Sequence, residues 1–106
     1  MLRIQAVVLE VLRMLKPVVL EIRKHDPDLA DQLKRAASSV ALNTSEGEYS
    51  YGRNVRARFD NALASAAESR ACLRTAVVWE YIAGVDPVLE DKLDQVIATL
   101  YRLARR

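Results

Sequence analysis

Three arginines, Arg53, Arg56 and Arg58, fall within six residues, directly after the tyrosines Tyr49 and Tyr51 and the glycine Gly52. Guanidinium groups bind phosphate through charge-assisted, often bidentate hydrogen bonds, and free backbone amides at a helix start favour the same anion. Tyrosine rings interleaved with such cations offer faces on which exposed bases stack. A second cluster, Arg102, Arg105 and Arg106, closes the chain. Arg53, Arg56, Arg58, Tyr51, Arg102, Arg105 and Arg106 are therefore the candidate nucleic-acid contacts. A structural account competes with this one. Arg56 and Asp60 are four apart and can pair along a helix, while Glu46 or Glu48 can hold Arg53. Some such partner is needed, because each cation at a helix N-terminus opposes the macrodipole by a few tenths to about 1 kcal/mol. The cluster at the chain's end complements a helix C-terminus and needs none.

Catalytic constellations are sparse. The single histidine, His25, sits in a turn beside a helix terminus, and the single cysteine, Cys72, reads as a small packing residue. Far apart in sequence, they suggest no nucleophile and base pair. Gly47 and Gly52 lack the following Lys-Ser/Thr of a phosphate-binding loop. No Arg is followed four to six residues later by His, as a small helical ribonuclease would require. Glu46, Glu68 and Glu80 come without the Glu-x-x-His pairs of bundle di-metal sites. The expectation is a protein without catalytic residues, metal or cofactor.

The elements that must position the arginines are legible from periodicity. A chain of 106 residues with 51% apolar but only 6% aromatic residues is expected to form one domain with an aliphatic, alanine-rich core. Ile4, Val7, Val8, Val11, Leu12, Leu15, Val18, Val19 and Ile22 recur at steps of three and four, the stripe of an amphipathic helix. Pro17 lies on the opposite face, where it predicts an outward kink rather than a break. In "HDPDLADQ", Asp26 caps a second helix that starts at Pro27, with the stripe Leu29, Leu33, Ala36, Ala37, Val40 and Thr44. A third runs from about Arg53 to about Ala83 with Val55, Phe59, Ala62, Leu63, Ala66, Leu73, Val77 and Tyr81 inward. Its middle, "ALASAAES", carries small residues on more than one face, which suits close packing within the bundle or against another subunit. Gly84 is expected to end it, and Asp86-Pro87 to begin a fourth helix with Leu89, Leu93, Val96, Ile97, Leu100 and Leu103. Short connections make sequential helices antiparallel neighbours, so the fold class expected is all-α, an up-down-up-down four-helix bundle spanning residues 1–106. No apolar run reaches the ~20 residues of a membrane span and no signal peptide is evident, which points to a cytoplasmic protein. The net charge of +2 is too small to define a partner; only its distribution is informative.

The segment "QLKRAASSVALNTSEGEYSYGR", residues 32–53, resembles the signature of the small four-helix-bundle proteins encoded in 23S rRNA intervening sequences. Gln32, Leu33, Lys34, Arg35, Ala36, Ala37, Ser39, Val40, Asn43, Glu46 and Gly47 match that pattern. Downstream, Phe59, Ala62, Ser65 and Glu68 follow the family's third-helix pattern, with Ala64 in place of the usual glycine. Thr44 and Ser45 stand where the family has Ile-Ala. The resemblance implies a bacterial antiparallel four-helix bundle assembled as a ring-like homopentamer. It also implies kinship with the accessory variability protein of diversity-generating retroelements, a basic pentamer that binds a reverse transcriptase and nucleic acid. The family-motif residues Asn43, Glu46 and Gly47 then either fix the helix end and turn or contribute to a ligand site. The function expected is a non-enzymatic, oligomeric adaptor or scaffold that binds RNA or DNA through its basic surface. The alternative is a protein-binding assembly module, for example a reverse transcriptase partner, with no nucleic-acid contact.

Overall fold

A computed structural model describes residues 3–105, without the side chain of Arg53. Four helices make up its regular structure: α1 (Arg3–Arg23), α2 (Pro27–Tyr49), α3 (Arg53–Val78) and α4 (Pro87–Ala104). Each packs on its sequence neighbour and α4 closes back against α1. The resulting rod measures 43 × 24 × 19 Å.

The helix starts follow the sequence chemistry. Asp26 Oδ1 accepts a hydrogen bond from the Leu29 amide at 3.0 Å, and Pro27 supplies a fixed φ where no donor is needed. Asp86 repeats the device on the Val88 amide at 2.8 Å. In α1 the buried face is Ile4, Val8, Val11, Leu15, Val19 and Ile22, and the helix runs through an exposed Pro17. Leu15, Ile22, Leu33, Leu73, Leu89 and Leu100 fill the centre of the core. Ala62, Ala66 and Ala76 are fully enclosed on α3, whereas Ala64, Ala67 and Ala71 face outward. The small residues of "ALASAAES" therefore divide between close packing inside and an open face outside.

Cross-helix contacts pair rising numbers on one helix with falling numbers on the next. Gln5 reaches Ala41 and Arg23 reaches Asp31; Ser65 reaches Ser39 and Arg58 reaches Glu46; Arg56 reaches Ala104 and Arg70 reaches Asp94. The last turns of α2 and the first turns of α3 are thus brought together, as are the first turns of α3 and the last turns of α4.

The third helix departs from expectation. It ends at Val78, not near Ala83, and Gly84 is not its terminator. Glu80 takes the left-handed conformation instead, with φ of 63°. The Glu80 amide donates to the Val77 carbonyl at 3.0 Å and the Tyr81 amide to the Ala76 carbonyl at 2.9 Å, the two bonds of a Schellman C-cap. A residue with a Cβ occupies a position that glycine fills at no steric cost, because the turn delivers Tyr81 to its packing site. The Tyr81 ring stacks on His25 with centroids 5.3 Å apart and an interplanar angle of 7°. Its hydroxyl meets Asp26 Oδ2 at 3.4 Å, and burial followed by the Asp26 charge pushes the phenol pKa up. Glu80→Gly is expected to raise stability by about 0.5–1 kcal/mol, read as a higher urea midpoint at unchanged m-value.

Thr44 lies on the core face of α2, fully buried, and its Oγ1 has no hydrogen-bond partner. An enclosed hydroxyl without a partner costs on the order of 1–3 kcal/mol. Thr44→Val, nearly isosteric, is accordingly expected to raise the melting temperature, as measured by circular dichroism.

Candidate functional site

The candidate surface begins where α2 gives way to α3. Asn43 through Tyr49 are helical, so the non-helical connection is only Ser50, Tyr51 and Gly52. The Ser50 hydroxyl donates back to the Glu46 carbonyl and finishes α2. Gly52 has φ of 65° and ψ of −144°, backbone that is accessible essentially to glycine alone, and it turns the chain into α3. No side chain caps that helix and its first turn holds no acidic residue. Tyr51 stands 90% exposed beside this start.

Arg56 and Arg58 find partners that local spacing did not give them. Arg56 does not pair with Asp60; its Nε lies 3.5 Å from the Ala104 carbonyl, at the last residue of α4. Asp60 instead accepts from Arg105 Nη1 at 3.1 Å, and that hydrogen bond is the main cause raising the Arg105 pKa. Glu46, expected beside Arg53, binds Arg58 Nε at 3.1 Å. The Arg53 side chain and Arg106 lie outside the described residues. Arg102 donates to Thr99 Oγ1 at 3.3 Å, and among the described residues neither Arg56 nor Arg102 has a carboxylate partner. The described members of the two basic clusters, Arg56 and Arg58 from one and Arg102 and Arg105 from the other, thus share one end of the molecule though distant in sequence. Tyr101, not anticipated, joins them: the Arg105 guanidinium sits over its ring, 4.5 Å from the centroid. The signal was its four-residue spacing from Arg105.

Beside this end, the family-motif residues form a seam between α2 and α3. Asn43 Nδ2 donates to the Ser39 carbonyl and to Ser39 Oγ, each at 3.0 Å. Ser65 Oγ crosses from α3 to Ser39 Oγ at 2.8 Å, and the buried Ser69 hydroxyl continues the ladder to the Ser65 carbonyl at 2.9 Å. Gly47 is not at a turn but inside α2, enclosed against Phe59. A Cβ placed on it would sit 2.8 Å from Phe59 Cε1.

Elsewhere the chemistry is quiet. Cys72 is buried, and burial raises its thiol pKa, which disfavours the nucleophilic thiolate. Among the described residues, no three His, Cys, Asp or Glu side chains gather as a metal site. No described helix is long and apolar enough to cross a membrane.

The family model of the 23S rRNA-intervening sequence protein matches residues 6–102. The chain belongs to that family. Its fold is similar to the crystal structure of a protein with unknown function from the S23 ribosomal protein family of Bacteroides thetaiotaomicron VPI-5482. The TM-score is 0.83 at 16% identity, covering 97% of this chain and 99% of the other. No curated protein matches the chain. The match to the 23S rRNA-intervening sequence family covers the seam, and here the motif residues have visible work. Asn43 ties Ser39 to its own helix so that Ser39 can receive Ser65. Glu46 holds Arg58, and Gly47 makes room for the Phe59 ring. Gly47→Ala would gain helix propensity worth about 1 kcal/mol, yet it forces a buried ring to move, a cost of about 1–3 kcal/mol. The expected result is net destabilisation on urea unfolding, relieved when Phe59→Leu is combined with it.

Proposed function

We propose that this chain is a non-enzymatic, self-associating adaptor that holds nucleic-acid phosphates on its basic end. Its helices run up-down-up-down, a topology supported by the reversed order of the cross-helix contacts. The observation that carries the reading is the 3.5 Å approach of Arg56 to the Ala104 carbonyl, which joins two clusters distant in sequence. Arg56 and Arg102, exposed and without carboxylate partners among the described residues, are the principal phosphate contacts. Arg58 and Arg105 are partly committed to Glu46 and Asp60, so they contribute more to shape than to net charge. The uncapped start of α3 adds backbone amides, and Tyr49 and Tyr51 offer exposed rings to bases. A family named for 23S rRNA intervening sequences makes RNA the first ligand to test. A protein-binding module without nucleic-acid contact is the second reading, favoured by the exposed Val78 and Trp79 at the end of α3.

The test is fluorescence anisotropy with labelled single-stranded RNA across a salt series. Wild type is compared with Arg56→Ala/Arg102→Ala and with an Arg74→Ala control on another exposed position. Arg58 is left intact because its removal would also release Glu46. Loss of two phosphate contacts should weaken binding about tenfold and lower the log–log salt slope by roughly 1.4, at about 0.7 per contact. The control should match wild type. Wild-type protein that fails to bind at low salt, at verified mass and helicity, overturns the nucleic-acid reading in favour of the protein-binding one.

A further inference from the structure

We propose that Tyr101, Arg105 and Asp60 form a stacking platform for an unpaired nucleobase, which makes the ligand of the basic end a single strand rather than a duplex. The platform lies within that end, so the proposal rests on the phosphate-binding function above.

The Arg105 guanidinium is held on two sides. One face lies over the Tyr101 ring, 4.5 Å from its centroid, one turn back on α4. Its Nη1 meets Asp60 Oδ1 on α3 at 3.1 Å, which sets the rotation of the plane. The backbone is held as well, since the Arg105 amide donates to the Arg102 carbonyl at 3.2 Å. A surface arginine ordinarily samples many rotamers, and fixing one of them on binding costs entropy. Here the fold has fixed it in advance. The Arg105 side chain nevertheless stays 50% exposed and Tyr101 53% exposed. With one face on the ring and one edge on the carboxylate, the opposite face is what the site offers a ligand.

The chemistry of that face selects the ligand. Asp60 offsets the guanidinium charge, so Arg105 adds little net attraction for phosphate. A flat, delocalised and weakly hydrated group instead suits another flat group, and guanidinium planes stack on unpaired bases as aromatic rings do. Inside a duplex each base is paired and stacked on both faces, whereas a single strand can turn one outward. Phosphate contacts stand beside the platform. Arg102 follows Tyr101 in the chain, and Arg56 Nε lies 3.5 Å from the carbonyl of Ala104, the residue before Arg105. Neither has a carboxylate partner among the described residues. A strand laid across this end can therefore set a base on Arg105 and neighbouring phosphates on Arg102 and Arg56.

The test separates the plane from the charge. Anisotropy is measured on the full chain with three labelled probes of about 12 nucleotides: single-stranded oligoadenylate, the same strand paired with its complement, and an abasic strand. Wild type should bind oligoadenylate about tenfold more tightly than the abasic strand. Arg105→Lys keeps the charge and can keep the Asp60 bridge but has no plane, and Tyr101→Ala removes the support. Each should weaken oligoadenylate binding about tenfold, with the salt slope and the other two probes unchanged. Tyr101→Phe keeps the ring and should match wild type. Asp60→Asn frees the charge while loosening the plane, so the salt slope should steepen by about 0.7 as the advantage of oligoadenylate falls. Helicity is verified for every variant. Arg105→Lys protein that binds oligoadenylate like wild type overturns the platform and leaves the phosphate surface standing. A loss shared equally by all three probes makes Arg105 a charge contact and overturns the platform too. Wild type that binds no probe at low salt overturns both the platform and the phosphate surface.

Discussion

The placement of the Phe59 ring where residue 47 can have no side chain is the constraint on which the rest of the α2–α3 packing depends. Two polar contacts between the helices follow the same register. One residue back on each helix, Glu46 meets Arg58; further along, Ser39 meets Ser65. A glycine within a helix costs about 1 kcal/mol relative to alanine, a cost offset here by burial of an aromatic ring that is only 3% exposed. Close approach then lets two short serine side chains span the gap. Longer polar residues would have held the helices apart, and apolar ones would have fixed no register.

The same packing answers the electrostatic problem at the start of α3. Arginines there oppose their own helix dipole, yet Arg56 lies against the C-terminal carbonyls of α4, where the dipole is negative. Glu46 comes from α2 to Arg58, and Asp60 accepts Arg105 from α4. Cations unfavourable on an isolated helix thus become tolerable in the bundle. At this end, Arg56 and Arg102 have no carboxylate partner among the described residues, and a surface proposed to hold phosphate needs such uncommitted charge. Exposed ion pairs of this kind contribute little to stability, so their consequence is geometric. They hold side chains where the two clusters join.

The opposite end of the rod obeys a different rule. There Asp26 caps α2 through one carboxylate oxygen and meets the Tyr81 hydroxyl through the other, while Tyr81 stacks on His25. The loop after α3 turns early, at Glu80, to bring that ring into place. The strain of a left-handed glutamate is a local cost accepted for a tertiary contact. The same early turn leaves Val78 and Trp79 outside the core.

Much of this was written in local sequence. Apolar steps of three and four marked the helices, and the two Asp-Pro pairs marked the starts of α2 and α4, because capping and periodicity act within a few residues. The motif around Asn43, Glu46 and Gly47 identified the family. Its physical meaning was not legible, since Gly47 looks like a turn residue until Phe59, twelve positions on, occupies its missing side chain. Likewise, local spacing paired Arg56 with Asp60, whereas the bundle gave each a partner on α4. Nor could periodicity place the end of α3, because Tyr81 fits the helical stripe and leaves it only to reach His25 and Asp26. The sequence by itself determined the elements, through interactions a turn or less in reach. Tertiary structure alone decided the partners of the charged and small residues, because those partners are chosen by the distance between packed helices.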